Sequence, residues 1–430
     1  MRDRTSALQE LTAASATPRA WLLALLCATM LFNFLDRQIF AILLESIKQD
    51  LEVSDTAMGL LTGGAFAVVY VIAGVPLARA ADVGTRRSIL AGCLFVWSAL
   101  TFTCGLAVNY TQLILMRMGV AIGEAGANPT TYSLISDLYP PNERPGVIGT
   151  IYFWSACGIG ASMLAGGWLN QLVGWRLTLM FVAVPGLILA LLIRLTVREP
   201  ARGGGMADRS IDFGGAIRAV ARIPSFLCVT LFSALSGFTG YGLLTWAPTF
   251  LIRVHQMPLA QVGLVMGLTA GLGAGIGSLV GGRIANLLAA RDYRFLLRFC
   301  AVVVTAALPF HLIFLHSETI SVGLAGFTVA SILMGGAQPT YYAIALSIVP
   351  ARTRGLATAA LTMAQNLGGI ALGVVAGGLL NDLLTPRFGV TAIRYSLTLL
   401  LAGLIGAAMV ALIGTRWVRS DFDRARQVTA

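Results

Sequence analysis

Apolar runs of about 20 residues recur along all 430 residues of the chain, and nothing else in it restricts the possible folds so severely. A helix rises about 1.5 Å per residue, so one such run crosses the ~30 Å hydrocarbon core of a bilayer. The runs fall at 20–46, 56–80, 87–108, 112–137, 146–170, 176–197, 224–252, 260–287, 295–315, 320–348, 355–381 and 394–416. In hydrocarbon every backbone N–H and C=O must be satisfied within the protein, and for segments of this length the helix does so. Charged residues are 11% of the chain, against about 25% in ordinary soluble domains, and the mean hydropathy is +0.80. The fold class expected is all-α integral membrane, with 12 transmembrane helices in two pseudo-symmetric six-helix halves.

Basic residues set the expected orientation. With the N-terminus placed in the cytoplasm, 23 of the 30 Lys and Arg fall on the inner side and 5 on the outer, with Arg37 and Arg117 left inside the membrane. Cytoplasmic loops carry such an excess, so both termini are expected to be cytoplasmic and the protein multi-pass in the cell inner (plasma) membrane. The same distribution accounts for the net charge of +11 without nucleic acid. The first apolar run is too long for a signal-peptide core of ~7–15 residues and holds Asp36 and Arg37, so it reads as a retained helix. The polar stretch 198–223, with Gly203-Gly204-Gly205 and several arginines, is expected to be a cytoplasmic linker. It divides an N-terminal bundle, 1–197, from a C-terminal bundle, 224–416, which is followed by a tail at 417–430.

The two halves resemble each other. Ala57-Met58-Gly59-Leu60 matches Gln261-Val262-Gly263-Leu264, and Ala78-Arg79-Ala80-Ala81-Asp82 matches Gly282-Arg283-Ile284-Ala285-Asn286. Pro129-Thr130-Thr131-Tyr132 matches Pro339-Thr340-Tyr341-Tyr342, and Ala165-Gly166-Gly167-Trp168-Leu169-Asn170 matches Ala376-Gly377-Gly378-Leu379-Leu380-Asn381. Four matches in order, at offsets drifting only from 204 to 211, indicate a duplicated six-helix unit. Duplicated halves with a site between them are a transporter architecture, and rocking of one half on the other alternates access.

Two ionisable pairs sit where hydrocarbon is expected. Asp36 and Arg37 interrupt the first run, and Arg117 and Glu124 the fourth. A charge at that depth costs several kcal/mol (estimates run from ~2.5 to ~17), so such residues face a protein interior or a water-filled path. Seven residues separate Arg117 from Glu124, which puts them on one helix face about 10 Å apart. Adjacent residues point ~100° apart, so Asp36 and Arg37 are expected to find different partners. A permanent buried ion pair is a weak stabiliser. Burial raises a carboxyl pKa and a nearby guanidinium lowers it, so an acid that meets Arg in only one conformation takes up and releases a proton. Asp36, Glu124 and Arg117 are the expected proton-coupling residues. Arg37 either neutralises Asp36 or holds a substrate phosphate, whose oxygens its guanidinium fits bidentately.

The repeat places no acid opposite these: Glu124 aligns with Met334, and Asp36-Arg37 with Gly240-Tyr241. The second half presents Tyr241, Gln338, Tyr341, Tyr342, Met363 and Gln365, an amphipathic wall suited, with Asn33 and Arg37, to a substrate with a polar head and an oily body. For Asn33, Gln338 and Gln365 the competing role is hydrogen bonding between helices. The glycine-rich stretches lack a following Gly-Lys-Ser/Thr and lie in apolar spans, where small residues let helices approach. The six cysteines read as small buried hydrophobes, and the histidines form no cluster. No cofactor, metal or enzymatic activity is expected.

The chain resembles the major facilitator superfamily along its whole length. Asp82-Val83-Gly84-Thr85-Arg86-Arg87 is similar to that superfamily's cytoplasmic loop after the second helix, though Val83 replaces a usual basic residue and Thr85 a usual Gly. Pro141-Asn142-Glu143-Arg144 is similar to its turn after the fourth helix. The resemblance implies gating roles for Asp82, Arg86, Arg87, Glu143 and Arg144, with a carboxylate capping the start of a helix in the other half. Asn33-Phe34-Leu35-Asp36-Arg37 and the stretch from Arg117 through Gly123-Glu124-Ala125-Gly126 to Pro129 resemble the Spinster branch of lipid transporters, as a bacterial member. What this implies is proton-driven movement of lysophospholipid or sphingolipid-like substrates by alternating access. The partners expected are that substrate, protons and membrane lipids, for a protein acting as a monomer. An organic-anion/H+ symporter or a multidrug exporter of the same superfamily is the alternative.

Overall fold

The computed structural model describes residues 18–140, 143–199, 220–349 and 353–429. The expected linker residues 200–219, both extreme termini and Pro141-Asn142 lie outside the described residues, as does the side chain of Asp82. The described residues are helical, with no strand among them.

Helix α1 runs over Arg19–Leu51. A second segment is built from α2 (Asp55–Gly59), a π-helical turn (Leu60–Gly64) and α3 (Ala65–Val83). Then follow α4 (Arg86–Cys104), α5 (Tyr110–Ala125), α6 (Ala127–Leu138) and α7 (Arg144–Thr196). The C-terminal half holds α8 (Pro224–His255), α9 (Leu259–Met266), α10 (Gly273–Ala289), α11 (Tyr293–His316) and α12 (Ile320–Ile348). It ends with α13 (Arg354–Asn366), α14 (Val374–Phe388), α15 (Ala392–Leu400), α16 (Ala402–Gly414) and α17 (Val418–Thr429). Local chemistry starts several of these. Asn109 accepts from the Gln112 amide at 2.9 Å while the Gln112 side chain accepts from the Val108 amide at 3.1 Å, a reciprocal cap on α5. Ser54 and Asp292 cap α2 and α11 by accepting from the amides of Ala57 and Arg294.

Nine segments among the described residues are long and apolar enough to cross a membrane. Two of them, Gly146–Thr196 at 51 residues and Arg354–Gly414 at 61, exceed what one crossing needs. Each turns at a glycine with positive φ: Gly174 (φ 77) and Gly389 (φ 56). Glycine takes that backbone shape without the Cβ clash other residues meet. The expected run 112–137 falls within Tyr110 to Leu138, which is divided at Gly126 into α5 and α6.

The duplication is visible in the backbone. Glu52 (φ 50) and Gln256 (φ 49) are non-glycine residues in the left-handed region, one just past α1 and the other closing α8. Their numbers differ by 204, the offset of the sequence repeat. The repeat partners Asn170 and Asn381 are used differently. Asn170 donates to Ser46 Oγ at 2.8 Å, whereas the side chain of Asn381, buried, has no hydrogen-bond partner.

Contacts group the chain into two compact units. The first takes the described residues of Met1–Arg37, Val69–Gly158 and Arg176–Arg209. Its interior includes Leu22, Leu26, Leu90, Leu94, Trp97, Val120 and Leu134. The second takes Gln38–Val68, Ile159–Trp175 and the rest, with Phe232, Trp246, Phe250, Leu297 and Phe314 inside. Here the Trp246 indole donates to the Val374 carbonyl at 2.9 Å. The π turn at Leu60–Gly64 lies so close to residues 367–373 that a Cβ on Gly63 would collide with the Ile370 carbonyl oxygen. Large apolar side chains such as Ile72, Leu195, Leu279 and Val302 point outward, as a surface facing hydrocarbon requires.

Candidate functional site

The four charges that interrupt the apolar runs, Asp36, Arg37, Arg117 and Glu124, gather in the first unit. They meet in a crossed pattern. Arg117 on α5 donates to Asp36 on α1 at 3.3 Å, and Arg37 on α1 donates to Glu124 on α5 through Nε at 3.1 Å and a terminal nitrogen at 2.9 Å. Arg117 also donates to the Arg37 carbonyl at 3.3 Å. Arg117 and Glu124 are wholly buried, and Asp36 nearly so. The sequence pointed to Glu124 with Arg117 as the switching pair. They approach to 3.9 Å, but the hydrogen bonds to Glu124 come from Arg37. Helical geometry explains the crossing. Asp36 and Arg37 diverge by ~100° on α1, while Arg117 and Glu124 stand two turns apart on one face of α5, so each α1 charge meets a different level of α5.

Two hydrogen bonds from Arg37 end on Glu124 Oε2, while the buried Oε1 has no hydrogen-bond partner. The guanidinium lies 4.7 Å from the Tyr70 ring centre and 5.4 Å from that of Phe34, within cation–π range. Asn128 on α6 donates to the Tyr70 hydroxyl at 3.2 Å and extends the network onto α3. Asn33, one turn before Arg37, is fully buried, and neither polar atom of its side chain has a hydrogen-bond partner. Small residues permit this depth. A Cβ on Gly123 would lie 2.7 Å from the Trp97 backbone nitrogen, and one on Gly126 would collide with Cys93 Sγ. The glycines flanking Glu124 thus let α5 press against α4.

The second-half wall residues take several positions, each within the second unit. Tyr341 is buried, edge-on to Phe232 (5.6 Å between centroids) and stacked on Tyr342 (5.0 Å). The Tyr342 hydroxyl meets Thr362 Oγ at 3.1 Å. Gln338 and Met363 are exposed, and Tyr241 and Gln365 are half-buried.

Arg86 and Arg87 find their partners inside the first unit. Glu199, just past α7, accepts from both backbone amides, at 3.2 and 2.8 Å, and from Arg86 Nε at 3.0 Å. It caps α4, where the helix dipole favours an anion. Arg86 also bonds Asp137 on α6, and Arg87 donates to the Val197 carbonyl at 3.1 Å. Arg144 donates to the carbonyls of Tyr139 (3.0 Å) and Ser136 (2.7 Å), and Glu143 is exposed.

A further cluster went unread in the sequence, where its members looked like scattered loop charges. Arg253, near the end of α8, donates to both oxygens of Asp55 at 2.6 and 2.7 Å and to Glu45 Oε2 at 2.8 Å. Lys48 reaches Asp55 at 2.6 Å. Asp382 on α14 accepts from the amides of Asp55 (3.0 Å) and Thr56 (2.7 Å) and from the Thr56 hydroxyl (2.6 Å). A carboxylate there both satisfies open amides and meets the positive end of the helix dipole. The one available signal was the Ser54-Asp55 pair at a helix start.

Apolar helices with outward-facing hydrocarbon side chains and neutralised charges inside define a multi-pass membrane protein. The chain belongs to the Major Facilitator Superfamily, which it matches over residues 26–374. It is 33% identical over 416 residues to an MFS-type efflux pump of Mycolicibacterium smegmatis, covering 95% of this chain and 96% of that one. Human protein spinster homolog 1 is 31% identical over 258 residues, 57% of this chain and 48% of that protein. The sphingosine-1-phosphate transporter SPNS2 of Xenopus tropicalis is 29% identical over 224 residues, 51% and 44% of the two chains. The chain thus matches about half the length of these two spinster relatives. A crystal structure of a bacterial homolog to the human lysosomal transporter Spinster, inward-facing and unoccupied, superposes with a TM-score of 0.85 at 26% identity. The match covers 94% of this chain and 98% of that one.

Proposed function

We propose that this protein is a proton-coupled secondary transporter that moves an amphipathic, anionic lipid by alternating access. The crossed pairs Asp36–Arg117 and Arg37–Glu124, buried on helices that cross the membrane, carry this reading. A purely structural cluster would be replaceable by apolar packing at little cost. Glu124 has one oxygen held by Arg37 and one with no hydrogen bond, so a proton can enter at Oε1 while Oε2 keeps its donors. Neutralising Glu124 weakens its hold on Arg37, whose guanidinium is then available to a phosphate oxygen. Proton uptake and headgroup binding thereby act on one arginine. Asp36 and Arg117 complete the switch. Asn33, Tyr241, Gln338, Tyr341, Tyr342, Met363 and Gln365 belong to the substrate path, and Asp82, Arg86, Arg87, Glu143 and Arg144 to one gate.

In this reading twelve helices cross the inner membrane with both termini cytoplasmic, the long segments breaking at Gly174 and Gly389 and the residues from Tyr110 to Leu138 forming one crossing. The halves are 1–197 and 224–416, joined by 198–223, and the protein works as a monomer. The sphingosine-1-phosphate transporter among its relatives supports a lipid. The efflux-pump relative, matched over nearly its whole length, supports the second reading, export of drug-like compounds. Substrate-dependent proton flux in reconstituted vesicles separates them. Lysophospholipid or a sphingoid phosphate should move protons when simple organic acids and cationic dyes do not. Flux with dyes alone selects the exporter.

A further inference from the structure

We infer that the C-terminal helix α17, with the turn before it, forms a docked surface that binds anionic phospholipid headgroups. In the sequence this segment reads as a short tail. In the structure it is a built element of the second unit. Asp421, buried, accepts from the Ser225 amide at 3.1 Å and from the Ser225 hydroxyl at 2.6 Å, and so caps the start of α8. Phe422 stacks on Tyr293, the first residue of α11, with centroids 3.9 Å apart. Val418 and Ala425 are buried in the same stripe, at the one-turn and two-turn spacing that places them all on one face.

The other face has the opposite character. Arg419 and Arg424 are 62% and 75% exposed, and Arg416 is also exposed. Arg419 lies 4.0 Å from Asp292, which brings the exposed Arg291 of the same turn into this neighbourhood. Trp417, at the root of the helix, is 37% exposed next to the end of a membrane-crossing helix. Indole rings favour the headgroup level of a bilayer. An amphipathic helix fixed at that level, basic on its free side and anchored by a Trp, fits a leaflet rich in negative headgroups. Asp421 is spent on capping Ser225 and lies 3.7 Å from Arg424, and the exposed Asp423 and the Asp292 beside Arg419 offset part of the charge, which leaves Arg416, Arg419, Arg424 and Arg291 in excess. A surface near anionic lipid contributes roughly fivefold in affinity per arginine.

The test is lipid retention on the full chain by native mass spectrometry, titrating phosphatidylglycerol against phosphatidylcholine. The wild type should prefer phosphatidylglycerol by more than tenfold. A variant with Arg416→Gln, Arg419→Gln and Arg424→Gln should lose most of that preference while keeping its melting temperature. Asp421→Ala removes no arginine but undocks the helix, and it should weaken the preference too. Equal retention of both lipids by the wild type, or an unchanged preference in the triple variant, overturns the inference. So does full preference in Asp421→Ala, which would assign the effect to net charge alone. None of these readouts depends on transport, so the result stands apart from the fate of the proposed lipid substrate.

Discussion

Arg37 links α1 to α5 through Glu124 and to α3 through the Tyr70 ring. It spends two donors on a single oxygen of Glu124 and lies against two aromatic rings. Removing it leaves a fully buried carboxylate without its hydrogen-bond donor, a loss of about 3–5 kcal/mol for a broken buried pair. Arg37→Ala should therefore melt well below the wild type in detergent, and adding Glu124→Gln should restore most of the difference. A double variant no more stable than Arg37→Ala would contradict the pairing. Glu124→Gln alone keeps the side chain's shape and one acceptor oxygen while removing the ionisable carboxyl. It should still fold, melting below the wild type because Arg37 keeps an acceptor but loses its counter-charge, and should abolish proton-dependent substrate uptake; undiminished uptake would remove Glu124 from the coupling mechanism.

Among the elements, the start of the segment from Asp55 to Val83 is fixed by its neighbours. Its first turn is held from α14 by Asp382, and its π turn is pressed against residues 367–373. Asp382→Ala leaves two amides and a hydroxyl without their acceptor, a loss of about 0.5–2 kcal/mol typical of a helix cap. Asp382→Asn should recover part of it, since the amide oxygen still accepts. Gly63→Val places a branched side chain where the Ile370 carbonyl already sits, and overpacking of this sort costs about 1–3 kcal/mol. Thermal unfolding in detergent reads both. A Gly63→Val protein as stable as the wild type would mean that this contact is looser than described.

At the scale of the whole molecule, alternating access makes a demand on the second unit. Segments Gln38–Val68 and Ile159–Trp175 come from the N-terminal half of the chain but group with the C-terminal helices. If the sequence halves move against each other, Arg253 must release Asp55 and Glu45, and Asp382 must release the start of α2, once per cycle. Spin labels at Ser54 and Leu383 in reconstituted protein should then give two distance populations whose ratio changes with a proton gradient. Arg253→Gln, which removes the central cation of the cluster, should favour the longer distance. A single distance that ignores both the gradient and the substitution would mean that this cluster is permanent.

What the amino-acid order determined by itself is what depends on local periodicity and on the solvent. Runs of apolar residues dictate helices because hydrocarbon tolerates no unpaired backbone. Charges inside such runs had to converge, and the offset of 204 announced a duplication that Glu52 and Gln256 repeat in the backbone. Arg117, Glu124, Asp36 and Arg37 were legible as a group because a charge in an apolar run has no cheap alternative to a partner. Which acid meets which guanidinium was not legible, because that is set by the level at which α1 crosses α5. The cluster around Arg253 was hidden for the opposite reason. Its residues lie near helix ends, where a charge needs no explanation, and contacts bridging from 198 to 327 residues of chain bring them together. The docking of α17 likewise rests on Asp421 reaching Ser225 across 196 residues, a proximity that packing alone decides.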